Sequence, residues 1–169
     1  MRLKHLIASV LALALIGGMV SLWLAPTGIA RVPDITVTTL QGDELQLTDL
    51  QGQPLLVTFW ASTCASCIRE MPHLAALYNE LSPQGLEIIG IAMAYDPPNR
   101  VMELSRAKQI PYPLVLDIDS KAANKFGDVS VTPSTFLIAP DGQVVLQQTG
   151  TLDMDKIRAL VLNMLNRTT

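Results

Sequence analysis

The sequence predicts an α/β domain: a mixed central sheet with helices on both faces and a β-hairpin at its N-terminal side. Three observations carry that reading. Two apolar runs, LLVTFWA (55–61) and LEIIGIAMA (86–94), have the continuous hydrophobic character of strands buried on both faces. Each is followed by a stretch with apolar residues at helical spacing, so strand and helix alternate as in a parallel core. Further on, Asp141-Gly142 separates two apolar runs, a strong signal for an antiparallel hairpin.

The elements follow in order. Residues 35–40 alternate β-branched and polar side chains, turn at Gln41-Gly42 and return through 44–47, which predicts a hairpin. Residues 48–52 read as a loop, and Pro54 opens the first core strand. After Ser62 and Thr63, residues 65–81 place Ile68, Met71, Leu74, Ala75, Leu77, Tyr78 and Leu81 at a helical period. The second strand, 86–94, leads through Tyr95-Asp96-Pro97-Pro98 to a helix over 99–109 with Asn99 as its cap. A third strand over 112–116, a short helix over 120–126 and the hairpin 134–139/143–148 come next. Asp153 caps a last helix to about residue 166, with Ile157, Leu160, Val161, Met164 and Leu165 on one face.

Ahead of this domain the chain is of another kind. Residues 6–24 carry no charge, and at about 1.5 Å per residue they make roughly 28 Å of helix, close to the ~30 Å hydrocarbon core. The apolar core of a cleaved signal is usually only about 7–15 residues. Residues 1–25 therefore read as a signal anchor, 26–32 as a linker and 33–169 as the folded domain. Arg2 and Lys4 stay on the cytoplasmic side and the domain is delivered across the membrane. Gly28-Ile29-Ala30 puts small residues where a signal peptidase cuts, so release after Ala30 is the alternative. The 12 basic and 15 acidic residues, net −3, are scattered, which argues against nucleic acid as a partner.

The chemistry-bearing feature is the pair Cys64 and Cys67, the only cysteines in the 169 residues. A structural staple closing so short a loop would add little stability. Structural zinc takes four ligands, and beyond His5 the chain has only His73, so zinc is excluded while copper on Cys64, Cys67 and His73 stays open. A thiol at a strand-to-helix junction faces unpaired N–H groups and the positive end of the helix dipole, which favours its thiolate. Cys64 is thus expected to attack and Cys67, one turn into the helix, to resolve. No cofactor is implied.

Phe59-Trp60-Ala61, Cys64-Ala65-Ser66-Cys67, Pro72, Val131-Thr132-Pro133 and Asp141-Gly142, in this order and spacing, resemble the thioredoxin superfamily over about residues 33–166. The anchor, the early hairpin and LEIIGIAM point within it to the membrane-anchored TlpA-like and ResA-like branch. That resemblance implies a thioredoxin-like fold and a periplasmic thiol-disulfide oxidoreductase on the bacterial inner membrane. It also implies reduction of protein disulfides, a role in cytochrome c maturation and a membrane electron donor. It implies a cis bond at Thr132–Pro133, a substrate surface of Trp60, Thr63, Thr132 and Pro133, and tuning of the potential by Ala65 and Ser66. Thr58 stands where thioredoxin has a buried aspartate, and Glu87, entering the next strand, is the acid the resemblance offers in its place. Ser66 replaces a common proline and adds donors near Cys64, so the couple is expected to be more oxidising than with proline. A thiol peroxidase is the competing enzyme class, opposed by Ala61 where a threonine or serine would precede the reactive cysteine. A copper-binding module is the non-enzymatic one.

Overall fold

The computed structural model describes residues 13–19, which are helical, and residues 28–168. The rest of the expected anchor and Pro26-Thr27 lie outside the described residues. Among the described residues no helix is long and apolar enough to cross a membrane.

The strands are β1 (Thr36–Thr38), β2 (Glu44–Gln46), β3 (Leu55–Trp60), β4 (Glu87–Ala92), β5 (Leu114–Leu116), β6 (Ser134–Ile138) and β7 (Val144–Thr149). The helices are α1 (Ala65–Leu81), α2 (Pro98–Lys108), α3 (Lys121–Lys125) and α4 (Met154–Thr168). The central sheet has the order β5-β4-β3-β6-β7, with β3, β4 and β5 parallel and β6 and β7 antiparallel. The hairpin β1-β2 forms its own small sheet and meets β5 through a bridge between Thr39 and Val115.

Alternation along β3 sorts the core into two layers. Leu56 and Trp60 join Met71, Leu74, Val101, Ile157 and Val161 under α1, α2 and α4. Leu55, Val57 and Phe59 join Val37, Leu47, Ala122, Phe126 and Phe136 under the hairpin and α3. Phe59, Phe126 and Phe136 pack edge to face, with centroids 4.9–6.0 Å apart.

Several local expectations shift. Pro97, not Asn99, occupies the N-cap of α2 and Pro98 its first turn, where a fixed φ and a missing N–H cost nothing. The loop at 48–52 contains a 3-10 turn, Leu47–Leu50. The short helix read over 120–126 begins at Lys121, with Ser120 at its N-cap making no side-chain capping bond and the Asp117 carboxylate accepting from the Ala122 and Ala123 amides at 2.9 and 2.8 Å. Asp153 caps α4 as expected, accepting from the Lys156 amide at 3.0 Å.

The largest correction concerns the linker. The Val32 amide donates to the Gly142 carbonyl and the Val144 amide to the Ala30 carbonyl, both at 2.9 Å, and Arg31 bridges Gln143. Val32 is only 7% exposed and Ile29 packs on the same layer. Residues 30–32 therefore extend the sheet beyond β7, and the folded unit begins before Pro33. The edge of β7 offers free backbone donors and acceptors, and covering it also buries two apolar side chains.

Gly90, at the centre of β4, is where a side chain has no room. A Cβ there would stand 2.5 Å from Leu114 Cδ2, 3.2 Å from Tyr112 and 3.3 Å from Trp60 Nε1. The bare backbone lets the Tyr112 ring and the Trp60 indole pack over the sheet. Gly90→Ala is expected to lower unfolding free energy by about 1–3 kcal/mol through overpacking, read from urea unfolding; unchanged stability would contradict this packing.

Candidate active site

Strand β3 pairs with β4 in parallel through Trp60 and Ala92, and with β6 antiparallel through Phe59 and Ser134. Three loops consequently meet at one pole: 61–64 after β3, 93–97 after β4 and 131–133 before β6. The first turns sharply, its Cys64 amide donating to the Ala61 carbonyl at 3.0 Å. Cys64 is the N-cap of α1, and its sulfur accepts from the Cys67 amide at 3.2 Å. Cys64 and Cys67 are joined as a disulfide. The Ser66 hydroxyl lies 3.3 Å from the Cys64 sulfur, the donor that proline at 66 would leave out.

The two sulfurs differ in access. Cys64 is half-buried beside exposed Thr63 and Ala65, whereas Cys67 is 4% exposed and faces the core. The Thr132–Pro133 bond is cis, and Pro133 packs with Cys67 around a cavity of about 10 Å³. No backbone hydrogen bond among the described residues takes up the Thr132 N–H or C=O. Those groups resemble the unpaired backbone of a strand edge.

Two expected site residues lie elsewhere. Glu87 pairs with Leu55 at the start of β3 and β4, five rungs from Trp60, so it sits roughly 16 Å from the cysteine end at ~3.3 Å per residue. Burial does push its carboxyl up, but it faces Tyr78 and not the sulfurs. Trp60 is 3% exposed and lies beneath the site in the core, so it cannot form a docking surface. Its Nε1 has no hydrogen-bond partner among the described residues and borders the same small cavity as Cys67. Thr58 bonds Thr135 at 3.0 Å, with no carboxylate in its place.

The acid that does stand with the cysteines is Glu70, 5% exposed and three residues after Cys67 on α1. It lines the cavity with Cys67, Trp60, Tyr112 and Pro133, a space sized for about one water molecule. Its Oε1 accepts from the Leu152 amide at 2.6 Å. Burial pushes its carboxyl up, while the Leu152 amide and His73 pull partly back. Burial and the Glu70 charge push the Tyr112 hydroxyl far up. The sequence analysis gives Glu70 no role, yet its i+3 spacing from Cys67 puts both on one face.

The loop after β4 supplies two more residues. Asp96, 4% exposed, accepts from the Ser62 amide and from the Ser62 hydroxyl, both at 2.5 Å. Tyr95 is exposed, and its hydroxyl lies 3.5 Å from the Thr132 hydroxyl. Neither contact leaves a local signal, because both join segments more than thirty residues apart. His73 lies exposed on α1, and among the described residues no three His, Cys, Asp or Glu side chains converge as a metal site would need. A larger groove, about 280 Å³, runs between β1 and β5 away from the sulfurs.

A helix-capping reactive thiol, a sealed partner thiol and a cis-proline loop on this sheet define a thioredoxin-like thiol-disulfide oxidoreductase. The chain belongs to the AhpC/TSA family, whose model matches residues 30–147. It is 33% identical over 129 residues to the thiol-disulfide oxidoreductase ResA of Geobacillus thermodenitrificans, covering 76% of this chain and 73% of that one. With ResA of Halalkalibacterium halodurans it shares 32% over 148 residues, 85% of this chain and 83% of the relative. Among solved structures it is similar to a thiol:disulfide interchange protein of the thioredoxin family from Chlorobium tepidum, with a TM-score of 0.73, 21% identity and coverage of 80% and 96%. StoA from Bacillus subtilis has the same fold, with a TM-score of 0.66, 19% identity and coverage of 76% and 97%.

Glu70→Gln is expected to slow dithiol-disulfide exchange at least about tenfold, while Glu87→Gln leaves it within about twofold; stopped-flow exchange with the order reversed would restore Glu87. Stability carries its own sign. A carboxyl raised on folding stabilises the native state below its unfolded pKa, and that contribution is lost as pH rises through the folded one. The urea midpoint of Glu70→Gln should therefore gain on the wild type as pH rises above the ordinary carboxylate range. Tyr95→Ala should raise KM for a protein disulfide several-fold and leave turnover of hydroxyethyl disulfide unchanged; an equal loss on both substrates would place Tyr95 in the chemistry.

Proposed function

We propose that the chain is a membrane-anchored, extracytoplasmic oxidoreductase that reduces protein disulfides, with apocytochrome c among its substrates and a membrane protein as its electron source. One observation carries the mechanism: the unequal access of the two sulfurs at the head of α1. In the reduced protein Cys64 is the thiol a substrate reaches, and the Cys67 amide and helix N-terminus favour its thiolate. The Cys64 thiolate attacks one sulfur of the substrate disulfide and the other leaves as a thiolate. Cys67 then gives up its proton, with Glu70 beside it as the acceptor, and attacks the Cys64 sulfur. That attack releases the second substrate sulfur as a thiolate; the substrate takes up two protons and leaves as a dithiol, and the two electrons it gained came from Cys64 and Cys67, which are left oxidised as their disulfide. Thr63 and Ala65 flank the sulfur on the open surface, and the Thr132 backbone with Pro133 receives the substrate chain.

The place of the domain rests on the uncharged stretch 6–24 after Arg2 and Lys4. Within it the described helical residues 13–19 leave Leu13, Leu15, Ile16 and Met19 exposed, as lipid-facing side chains are. The role in cytochrome c maturation follows from the resemblance to the ResA-like branch.

The test uses the full chain in membranes. Cys67→Ala is expected to accumulate mixed disulfides through Cys64 with extracytoplasmic proteins, and Cys64→Ala none. Adducts held by Cys67 in the reverse variant would overturn the assignment. Rapid peroxide consumption by the reduced wild type would favour the peroxidase reading instead.

A further inference from the structure

Asp96 has no part in the exchange steps above, yet it is the charged group tied most closely to the turn that carries Cys64. Its two carboxylate oxygens are both committed to Ser62, one to the amide and one to the hydroxyl, at 2.5 Å each. Ser62 stands two residues before the sulfur, inside the turn closed by the bond from the Cys64 amide to the Ala61 carbonyl. The far side of the clamp is also fixed, because the Asp96 amide donates to Met93 and the Met93 amide to Trp60, at 2.9 and 3.0 Å. The loop after β4 is therefore laced to the end of β3.

Asp96 is 4% exposed, and no ion pair among the described residues involves it. Among the described residues the ion pairs are Lys121–Asp119 and Arg158–Glu80, both on the surface and neither touching Asp96. Two N–H and O–H donors satisfy its hydrogen bonds, but its charge stays uncompensated in a poorly screened place. The Cys64 sulfur has the head of α1 and the Ser66 hydroxyl on its favourable side. Acting the other way is Asp96 of the β4 loop, held on Ser62; the other acid nearby, Glu70 on the Cys67 cavity with the Tyr112 hydroxyl, is pushed toward its neutral form by burial.

We propose that Asp96 is a positioning residue that fixes the Ser62–Cys64 turn and, by its uncompensated negative charge, disfavours the Cys64 thiolate and so holds the dithiol-disulfide couple toward the reducing side. This rests on Cys64 being the attacking thiol. A like charge raises the pKa of a thiol, and destabilising the thiolate destabilises the reduced form relative to the disulfide. The arrangement opposes Ser66, so the potential is set by two neighbours of opposite effect.

Asp96→Asn removes the charge and keeps one oxygen acceptor for the Ser62 amide, while the Ser62 hydroxyl can turn to accept from the new side-chain N–H. The Cys64 thiol pKa, followed by thiolate absorbance at 240 nm, should fall by about one unit. The equilibrium constant against glutathione should then move up to about tenfold toward the dithiol, or ~30 mV for a two-electron couple. Ser62→Ala, which keeps the charge and loses one bond, should stay within about twofold of the wild type in that equilibrium. An Asp96→Asn protein with wild-type thiol pKa and potential, or a Ser62→Ala protein that shifts the equilibrium as far as Asp96→Asn does, overturns the proposal. Alkylation mapping to Cys67 instead of Cys64 would overturn the assignment beneath it, an outcome visible in the same samples.

Discussion

The register of β3 between β4 and β6 is the constraint on which the rest depends. Trp60 opposite Ala92 and Phe59 opposite Ser134 bring the end of β3, the end of β4 and the start of β6 to one pole. From that pole the chain launches α1 with Cys64 at its head, the Asp96 loop and the Thr132–Pro133 turn. None of these segments is near the others in sequence. A slip of one residue would turn Leu56 and Trp60 into the layer now held by Val57 and Phe59. The three aromatic rings in one layer and the bare Gly90 in the other each admit only the observed register.

Around the disulfide the physics is one of asymmetric access and opposed charges. The helix N-terminus and the Ser66 hydroxyl favour a thiolate at Cys64, and the buried Asp96 carboxylate clamped on Ser62 acts against it. Cys67 lies on the core side with Glu70, where burial keeps a carboxyl inclined to hold a proton. The more accessible sulfur, proposed as the nucleophile, and the sealed one, proposed to resolve beside Glu70, thus come from the first two turns of one helix.

Periodicity and turn chemistry were enough for much of this. The apolar runs gave β3 and β4, Asp141-Gly142 gave the β6-β7 hairpin, and Asp153 marked the head of α4. The cysteine pair was legible because its spacing at a strand-helix junction has few uses. What escaped is what long-range pairing decides. Glu87 and Glu70 are both glutamates near apolar residues in the sequence, and only the strand direction tells that one lies at the far end of the sheet. Trp60 looked like a surface aromatic because its neighbours in sequence form the site, while the Gly90 gap draws its ring inward. Residues 30–32 looked like a linker, and only their pairing with β7 makes them part of the domain.

The central claim is that the two sulfurs are unequal, Cys64 the exposed thiolate and Cys67 the buried resolver. Reduced full-length protein quenched with iodoacetamide across a range of pH, with mass spectrometry locating the label, measures this directly. The account predicts rapid modification at Cys64, titrating below the ~8.5 of a free thiol, and slow modification of Cys67 throughout. Equal rates at both sulfurs, or a faster Cys67, would contradict it.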